Sequence, residues 1–313
     1  MKARKPFLLV IGLFIASVAG VSASLAQTVT GSWSIQPSDH PGQVQLSFVR
    51  DHSNNSSNWR LEDLKGFGFS ATGRRDVQFV IDRDAGRIDA EGSATASTAA
   101  GSFRFTPAPG YSAKIHQLGL GDIPPEQQIS FALLDVSLAY AQEMTALKID
   151  GLNADKLLAM RIHGVDSPYV KDLRANGAHA NDADQLIAMR IHGVTPALAA
   201  AFRHAGSVPG DEQLVTLTIH GATPDWVTRL DGLGYLRGGA VHADQLIAFR
   251  IHGVTPDYIE AVEKLGYSYP EPDQLIAMRI HDVTPDYIAS VKAKGVKDLS
   301  LDQLVAMRIH GID

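Results

Sequence analysis

The chain lacks cysteine entirely, and it has no excess of positive charge. The absence of cysteine from its 313 residues excludes disulfide bonds, thiolate metal sites and lipid attachment to an N-terminal cysteine. Its 28 Lys and Arg residues against 34 Asp and Glu residues give a net charge of −6. This charge predicts that neither nucleic acid nor an anionic membrane surface is a partner.

Motifs of catalysis are also missing from the sequence. There is no His-Glu-x-x-His metallopeptidase motif, and Ser70 lacks the Gly-x-Ser-x-Gly spacing of a hydrolase nucleophile. The Gly66-Phe67-Gly68 segment is not followed by the helix that a phosphate-binding loop requires. We therefore expect a protein that is not an enzyme and that needs no cofactor or metal.

Residues 1–26 have the pattern of a secretory signal peptide. Three basic residues within the first five precede an apolar run over residues 7–18, and Ser24 and Ala26 are the small residues of a cleavage site after Ala26. Ala23 offers a second possible site. The run is shorter than the roughly 20 residues that span a bilayer. We predict a periplasmic or secreted protein with no transmembrane segment after cleavage, and its net charge changes from −6 to −9 because the signal carries three positive charges.

Residues 27–105 are predicted to form a β-rich domain. Apolar and polar residues alternate with period two in several segments, which is typical of strands with one buried face. Asp84-Ala85-Gly86 has the composition of a hairpin turn, whereas residues 37–42 and 52–58 have the composition of loops. We expect a small antiparallel sheet of five or six strands.

Aromatic residues of this β-rich domain allow two interpretations. Trp33 and Trp59, with Phe67 and Phe69, could form a platform on which a cell-wall glycan stacks. The alternative is that these rings belong to the core of a small sheet. Trp33 and Trp59 are the candidate glycan-binding residues.

Residues 106–313 contain a tandem repeat of about 29 residues. The motif Ile-His-Gly, or Ile-His-Asp, recurs six times, and its histidines are 29, 28, 32, 29 and 29 residues apart. We call these histidines the histidine row: His163, His192, His220, His252, His281 and His310. A degenerate earlier copy fits residues 129–144, with Leu134 in the position of the histidine.

Each repeat is predicted to be a pair of helices. In residues 273–294 the first helix ends near His281, and Thr284 with Pro285 then caps and begins the second helix, which Gly295 ends. The second helix has a narrow apolar stripe and should lie at the surface. The first helix is apolar almost all round and should be enclosed by its neighbours. Stacking of such pairs predicts an α-solenoid, so the whole chain should have an α+β multidomain fold.

An arginine recurs two residues before the histidine in five of the six repeats. We call these five residues the arginine row: Arg161, Arg190, Arg250, Arg279 and Arg308. One interpretation is a structural ladder in which each guanidinium bonds to carbonyls or an acidic residue of an adjacent repeat. The other is a line of positive sites for an anionic or peptidic partner, although Thr218 interrupts it in the third repeat. Packed helices lie about 8–10 Å apart, which places successive histidines too far apart to share one metal ion.

The unit Asp-Gln-Leu-Ile-Ala-Met-Arg-Ile-His, followed by Val-Thr-Pro-Asp-Tyr-Ile, resembles a repeat of bacterial exported proteins. Similar repeats follow the membrane domain of some metallopeptidases of the β-lactam-sensor type. The resemblance covers residues 130–313, and the β-rich segment before them is also similar. It implies a role at the cell envelope or in sensing. The chain lacks the membrane domain and zinc motif of those peptidases, so no protease activity is implied.

Together these features predict an exported, non-enzymatic scaffold for protein–protein interaction or envelope sensing. Two alternatives stay open at this point. One is a glycan-binding module that uses the N-terminal aromatic residues. The other is a hydrolase with its site where the β-rich and helical parts meet.

Overall fold

The computed structural model describes residues 28–50, 53–237, 241–296 and 298–312. The predicted signal peptide and its cleavage site lie outside the described residues. Among the helices of the described residues, none is long and apolar enough to cross a membrane.

Six antiparallel strands form one sheet, as the sequence predicted. Their order across the sheet is β3-β2-β1-β6-β5-β4. The strands are β1 (Val29–Pro37), β2 (Gln43–Arg50), β3 (Ser53–Arg60), β4 (Arg75–Arg83), β5 (Gly86–Ala94) and β6 (Ala99–Pro107). A short 3-10 helix, Leu61–Asp63, follows β3. The alternation seen in the sequence places one apolar face in the core.

The sheet curves strongly around Trp33. In a flat sheet, strands lie about 4.8 Å apart, so β1 and β4, three places apart, would be separated by about 14 Å. The ring of Trp33 on β1 nevertheless lies 4.9 Å from that of Phe79 on β4. Trp33 is paired with Gly101 on β6, which is paired with Gly92 on β5. A methyl group on Gly92 or Gly101 would lie 2.2 or 1.9 Å from a carbonyl oxygen of the paired strand, so the close approach of β5 and β6 beside Trp33 requires both glycines.

Two of the predicted connections had different outcomes. The predicted hairpin turn joins β4 and β5: Asp84 and Ala85 form the turn, and Gly86, with the expected positive φ of 151°, is the first residue of β5. The prediction of a loop over residues 52–58 is wrong, because β3 occupies most of that segment. This strand lies at the sheet edge and pairs only with β2. Polar side chains are tolerated on this edge strand because neither of its faces has to be fully buried. The Ser47 and Ser56 hydroxyls form a hydrogen bond across the strand pair at 2.8 Å.

Fourteen α-helices follow within the described residues and alternate between two types. The B-type helices, which correspond to the second helix of the predicted pair, are α1 (Tyr111–Gln117), α3 (Leu138–Ala146), α5 (Ser167–Ala175), α7 (Pro196–His204), α9 (Pro224–Gly232), α11 (Pro256–Lys264) and α13 (Pro285–Ala293). The A-type helices are α2 (Gln128–Leu133), α4 (Ala154–His163), α6 (Ala183–Ile191), α8 (Asp211–Ile219), α10 (Ala243–His252), α12 (Pro272–Ile280) and α14 (Leu301–Ile309).

The helices pack as two layers, as expected for a solenoid. From α4 to α14 each A-type helix contacts the next A-type helix, and from α1 to α13 each B-type helix contacts the next B-type helix. Thr284 accepts a hydrogen bond from the backbone N–H of Tyr287, and Pro285 is the first residue of its helix, as predicted. The buried stripe of α13 is Tyr287, Ile288 and Val291, also as predicted.

The A-type helices are more open than predicted. Leu275 and Met278 of α12 are fully buried, but Ile280 is 53% exposed. The expectation that such a helix is enclosed on all sides is therefore wrong. The A-type helices on either side of α12 cover two of its sides, and the B-type layer covers a third. The remaining side faces solvent.

The array also begins earlier than the sequence indicated. The Tyr111 hydroxyl of α1 donates to the carbonyl oxygen of Val136 at 2.6 Å. The Tyr140 hydroxyl of α3 makes the same bond to Val165, again 25 residues ahead, at 2.7 Å. Helix α1 is therefore the B-type helix of a first copy that directly follows the sheet.

The sheet and the array share one core. Helix α2 packs against β5 and β6, and the Gln128 amide donates to the carbonyl oxygen of Ala85 in the β4–β5 turn at 2.6 Å. Asp84 of the same turn accepts from the backbone N–H of Leu138 at 2.8 Å. Asp135 pairs with Arg83 at 3.4 Å. These contacts fix the first repeat onto the end of the sheet.

Candidate functional site

Buried tyrosines join each B-type helix to the following repeat. In five B-type helices a tyrosine hydroxyl donates to a carbonyl oxygen 25 residues ahead, at 2.6–2.9 Å, just after the next A-type helix. These residues are Tyr111, Tyr140, Tyr169, Tyr258 and Tyr287. Burial raises the pKa of Tyr169 to about 12 and raises the pKa of Tyr111, Tyr140 and Tyr258 as well. The hydroxyls of these four tyrosines therefore stay protonated at neutral pH and act as donors.

The arginine row stacks on aromatic rings of the B-type helices, four of which are these tyrosines. Each guanidinium carbon lies 4.6–5.4 Å from the ring centre of the B-type helix before it. The ring beneath Arg250 is Trp226, and the other four rings are tyrosines. Such a position is favourable because the ring face carries negative charge density.

Most of these arginines also bond to the C-terminal end of the preceding A-type helix. The Nε–H groups of Arg250 and Arg279 donate to the carbonyl oxygens of His220 and His252, at 2.8 and 3.2 Å. Arg161 donates to Leu134 and Arg308 to Asp282 in the same way. Three consecutive elements are thus joined at one point. This geometry favours the structural-ladder interpretation of the arginine row over a row of partner-binding sites.

One repeat lacks both members of the pair. In α7, Leu198 replaces the tyrosine, and in α8, Thr218 replaces the arginine. The Thr218 hydroxyl donates to Leu214 of its own helix at 2.7 Å instead. Ring and guanidinium are lost together in this repeat, whereas Tyr111 keeps its ring with Ala132 in the position of the arginine. In the next repeat Trp226 takes the place of the tyrosine. It keeps the contact with Arg250, but its buried Nε1–H has no hydrogen-bond partner among the described residues.

A second set of contacts joins the N-terminal ends of the A-type helices. Gln213, Gln245 and Gln274 donate to Asp244, Asp273 and Asp302 of the next repeat, at 2.9–3.1 Å. Lys156 and Asp184 form the equivalent ion pair. Every A-type helix from α4 onward has an exposed carboxylate at this position. We call these the acidic row: Asp155, Asp184, Glu212, Asp244, Asp273 and Asp302.

Isoleucines line the opposite end of the open face. The isoleucine before each histidine of the row is 53–56% exposed. We call this set the isoleucine row: Ile162, Ile191, Ile219, Ile251, Ile280 and Ile309. Periodicity assigned these residues to a buried helix, so their exposure was missed. The signal that could have revealed it is their seven-residue spacing from the acidic row, which places both on one helix face.

The histidine row lies at the C-terminal ends of the A-type helices. His192, His220, His281 and His310 are the residues that end the helices, and His163 and His252 are the last helical residues before a left-handed glycine. Within the described ranges, no group of three or more His, Asp or Glu side chains could hold a metal ion.

The two candidate glycan-binding residues lie in the core of the sheet. Trp33 is 2% exposed, and its Nε1–H donates to the carbonyl oxygens of Glu91 and Ser102 at 3.1 and 3.0 Å. Trp59 is 9% exposed and donates to the Ser57 hydroxyl. Neither ring offers a free face for a sugar, because neighbouring side chains cover both. The core interpretation of these tryptophans is the one that the structure supports.

A shallow cavity of about 650 Å³ lies on the polar face of the sheet. Arg87, Asp89, Glu91 and Arg104 contribute to its lining. Arg87 is paired with Asp89 at 2.8 Å, and this pairing raises the pKa of the arginine. The charges of the cavity thus partly satisfy one another.

No family model, curated protein or solved structure matches the chain. The repeated geometry of the array is therefore the main basis for a functional proposal.

Proposed function

We propose that this chain is an exported, non-enzymatic protein whose helical repeats form a scaffold for protein–protein interaction at the cell envelope. The observation that carries the proposal is the open face of the A-type helices. It repeats the same exposed isoleucine and the same exposed carboxylate in six successive units. A monomeric protein gains nothing in folding free energy from an exposed apolar side chain, so the repetition favours contact with another molecule.

Internal structure supports the same proposal. The aromatic–arginine contacts and the Gln–Asp contacts satisfy most of the polar groups that join adjacent repeats. They hold the repeats in register without using the exposed isoleucines. A surface whose spacing is fixed by buried contacts is preorganised for binding, which lowers the entropic cost of association.

Export is the first part to test. The signal-like segment predicts that a tagged full chain reaches the periplasm or medium, with an N-terminus at residue 27. A chain from which residues 2–26 are removed should stay in the cytoplasm. Cell fractionation and N-terminal sequencing measure both. Retention of the full chain in the cytoplasm would contradict the exported part of the proposal.

Partner binding is the second part. The tagged protein, purified after export, is used as bait in an envelope extract, and candidate partners are then titrated against it. We expect at least one partner that binds saturably and in competition with the untagged protein. Turnover of a substrate by the purified protein, with no saturable partner, would refute the scaffold role and favour the hydrolase alternative.

A further inference from the structure

The isoleucine row is part of a continuous apolar strip. Six of the eleven exposed large apolar side chains in the described part of the chain occupy this single repeat position. One turn earlier on each helix lies another aliphatic residue that is only partly buried: Leu158, Ile187, Val215, Ile247, Ile276 and Val305. The strip therefore crosses all A-type helices from α4 to α14. Ile219 belongs to it even though its repeat has lost the arginine.

The spacing of this strip suits one kind of chain. Adjacent packed helices lie about 8–10 Å apart. A polyproline II segment has three residues per turn and rises about 3.1 Å per residue, so every third side chain points the same way at intervals of about 9 Å. A β-strand repeats a face about every 6.6 Å, which does not match. An extended segment of the polyproline II type can thus place one side chain on each repeat.

Charge specifies the rest of such a partner. The acidic row runs parallel to the isoleucine row, and the two are seven residues apart on every helix, or about 10 Å. Lys156 pairs with Asp184, but the partners of Asp244, Asp273 and Asp302 are neutral glutamines. The edge of the strip therefore keeps its negative charge. Long basic side chains on the partner would reach it.

We propose that the isoleucine row and the acidic row together bind an extended polyproline II segment with an apolar residue at every third position and basic residues between. This inference rests on the proposed scaffold function and names the class of partner. Apolar side chains of the segment lie against the isoleucines, and its Lys or Arg side chains pair with the carboxylates.

Fluorescent peptides test this proposal with the protein purified after export. The probe is a peptide of repeated Leu-Pro-Lys units long enough to span the six repeats. Its controls are a peptide of the same composition in permuted order and a peptide of repeated Leu-Pro-Glu units. Anisotropy should show saturable binding of the first peptide and affinities about tenfold weaker or worse for the two controls, because register and charge are lost. Equal binding of all three, or no binding of the first, would overturn the proposal.

Variants locate the site. Combined Ile191→Ser, Ile251→Ser and Ile280→Ser should weaken binding about tenfold or more, since each removes apolar contact area. Val208→Ser is the matched control, because Val208 is 55% exposed but lies outside the strip. The affinity of this variant for the peptide should stay within about twofold of that of the parent protein. Circular dichroism verifies that both variants fold. Unchanged affinity in the triple variant would place the peptide elsewhere.

Sedimentation of the free protein provides a further control. A dimer that the triple isoleucine variant abolishes would assign the strip to a second copy of the chain and would overturn the proposal. Failure of the peptide-binding proposal can be distinguished from failure of the proposed scaffold function. An envelope partner that binds parent and triple variant equally would contradict only this surface, whereas the general proposal would stand.

Discussion

Replacing Tyr258 by Phe tests whether the tyrosine contacts stabilise the array. The ring is kept, so packing and the contact with Arg279 are largely preserved, and only the hydroxyl is lost. That hydroxyl donates to the carbonyl oxygen of Val283 at 2.7 Å, and Tyr258 is 7% exposed. A buried acceptor that loses its donor costs about 1–3 kcal/mol. We therefore expect Tyr258→Phe to lower the free energy of unfolding by about 2 kcal/mol.

Urea unfolding followed by far-UV circular dichroism measures this change. Tyr269→Phe is the matched control, because the Tyr269 hydroxyl also donates to a carbonyl oxygen, that of Gly234, but its residue is 44% exposed. Water can replace that bond, so its loss should cost less than about 0.5 kcal/mol. Similar small losses in both variants would refute the claim that the buried hydroxyl contributes to joining adjacent repeats.

Three further predictions follow from the same contacts. The free energy of unfolding should fall as the pH rises from about 10 to 12. A tyrosine of the unfolded chain ionises near pH 10, whereas burial raises the pKa of Tyr169 in the folded chain to about 12. Urea titrations at several pH values measure this fall. Gly101→Ala should destabilise the sheet by about 3 kcal/mol or more, because the new methyl group would lie 1.9 Å from the Glu91 carbonyl oxygen. The control is Gly232→Ala in α9, whose methyl group would meet nothing within 4 Å and which should be neutral or stabilising. Thermal melts measure both. Thr284→Ala should cost about 1 kcal/mol in urea unfolding through loss of the helix cap, whereas Thr228→Ala, an exposed position inside a helix, should change little.

The helix pairs were predictable because their signals are local. Thr284 with Pro285 defines a helix start from adjacent residues alone, and its structure agrees with the expectation. Helix α1 was missed because strand β6 precedes it in place of an A-type helix, so the arginine and histidine that mark a repeat are absent there. Pro109 and Tyr111 have the spacing of Pro285 and Tyr287, which was the one available signal.

Contacts that depend on the stacking of repeats were harder to predict. The recurrence of the arginine row was visible, but its aromatic partners lie about 21 residues away on another helix, as Tyr258 does from Arg279. Strand β3 was missed for a related reason. An edge strand with polar side chains has no alternation to detect, and its pairing with β2 defines it.

The aromatic–arginine contacts and the open face of the A-type helices change independently along the array. In the repeat that contains α8, Leu198 and Thr218 have replaced the aromatic–arginine pair, yet Ile219 remains 55% exposed. In an array whose stability is a sum over repeats and neighbouring interfaces, one weaker interface can be tolerated because the others hold. The spacing of the open face survives such a loss, since α8 still packs against α6 and α10. Binding along the isoleucine row should therefore depend on the continuity of the A-type layer more than on any single arginine.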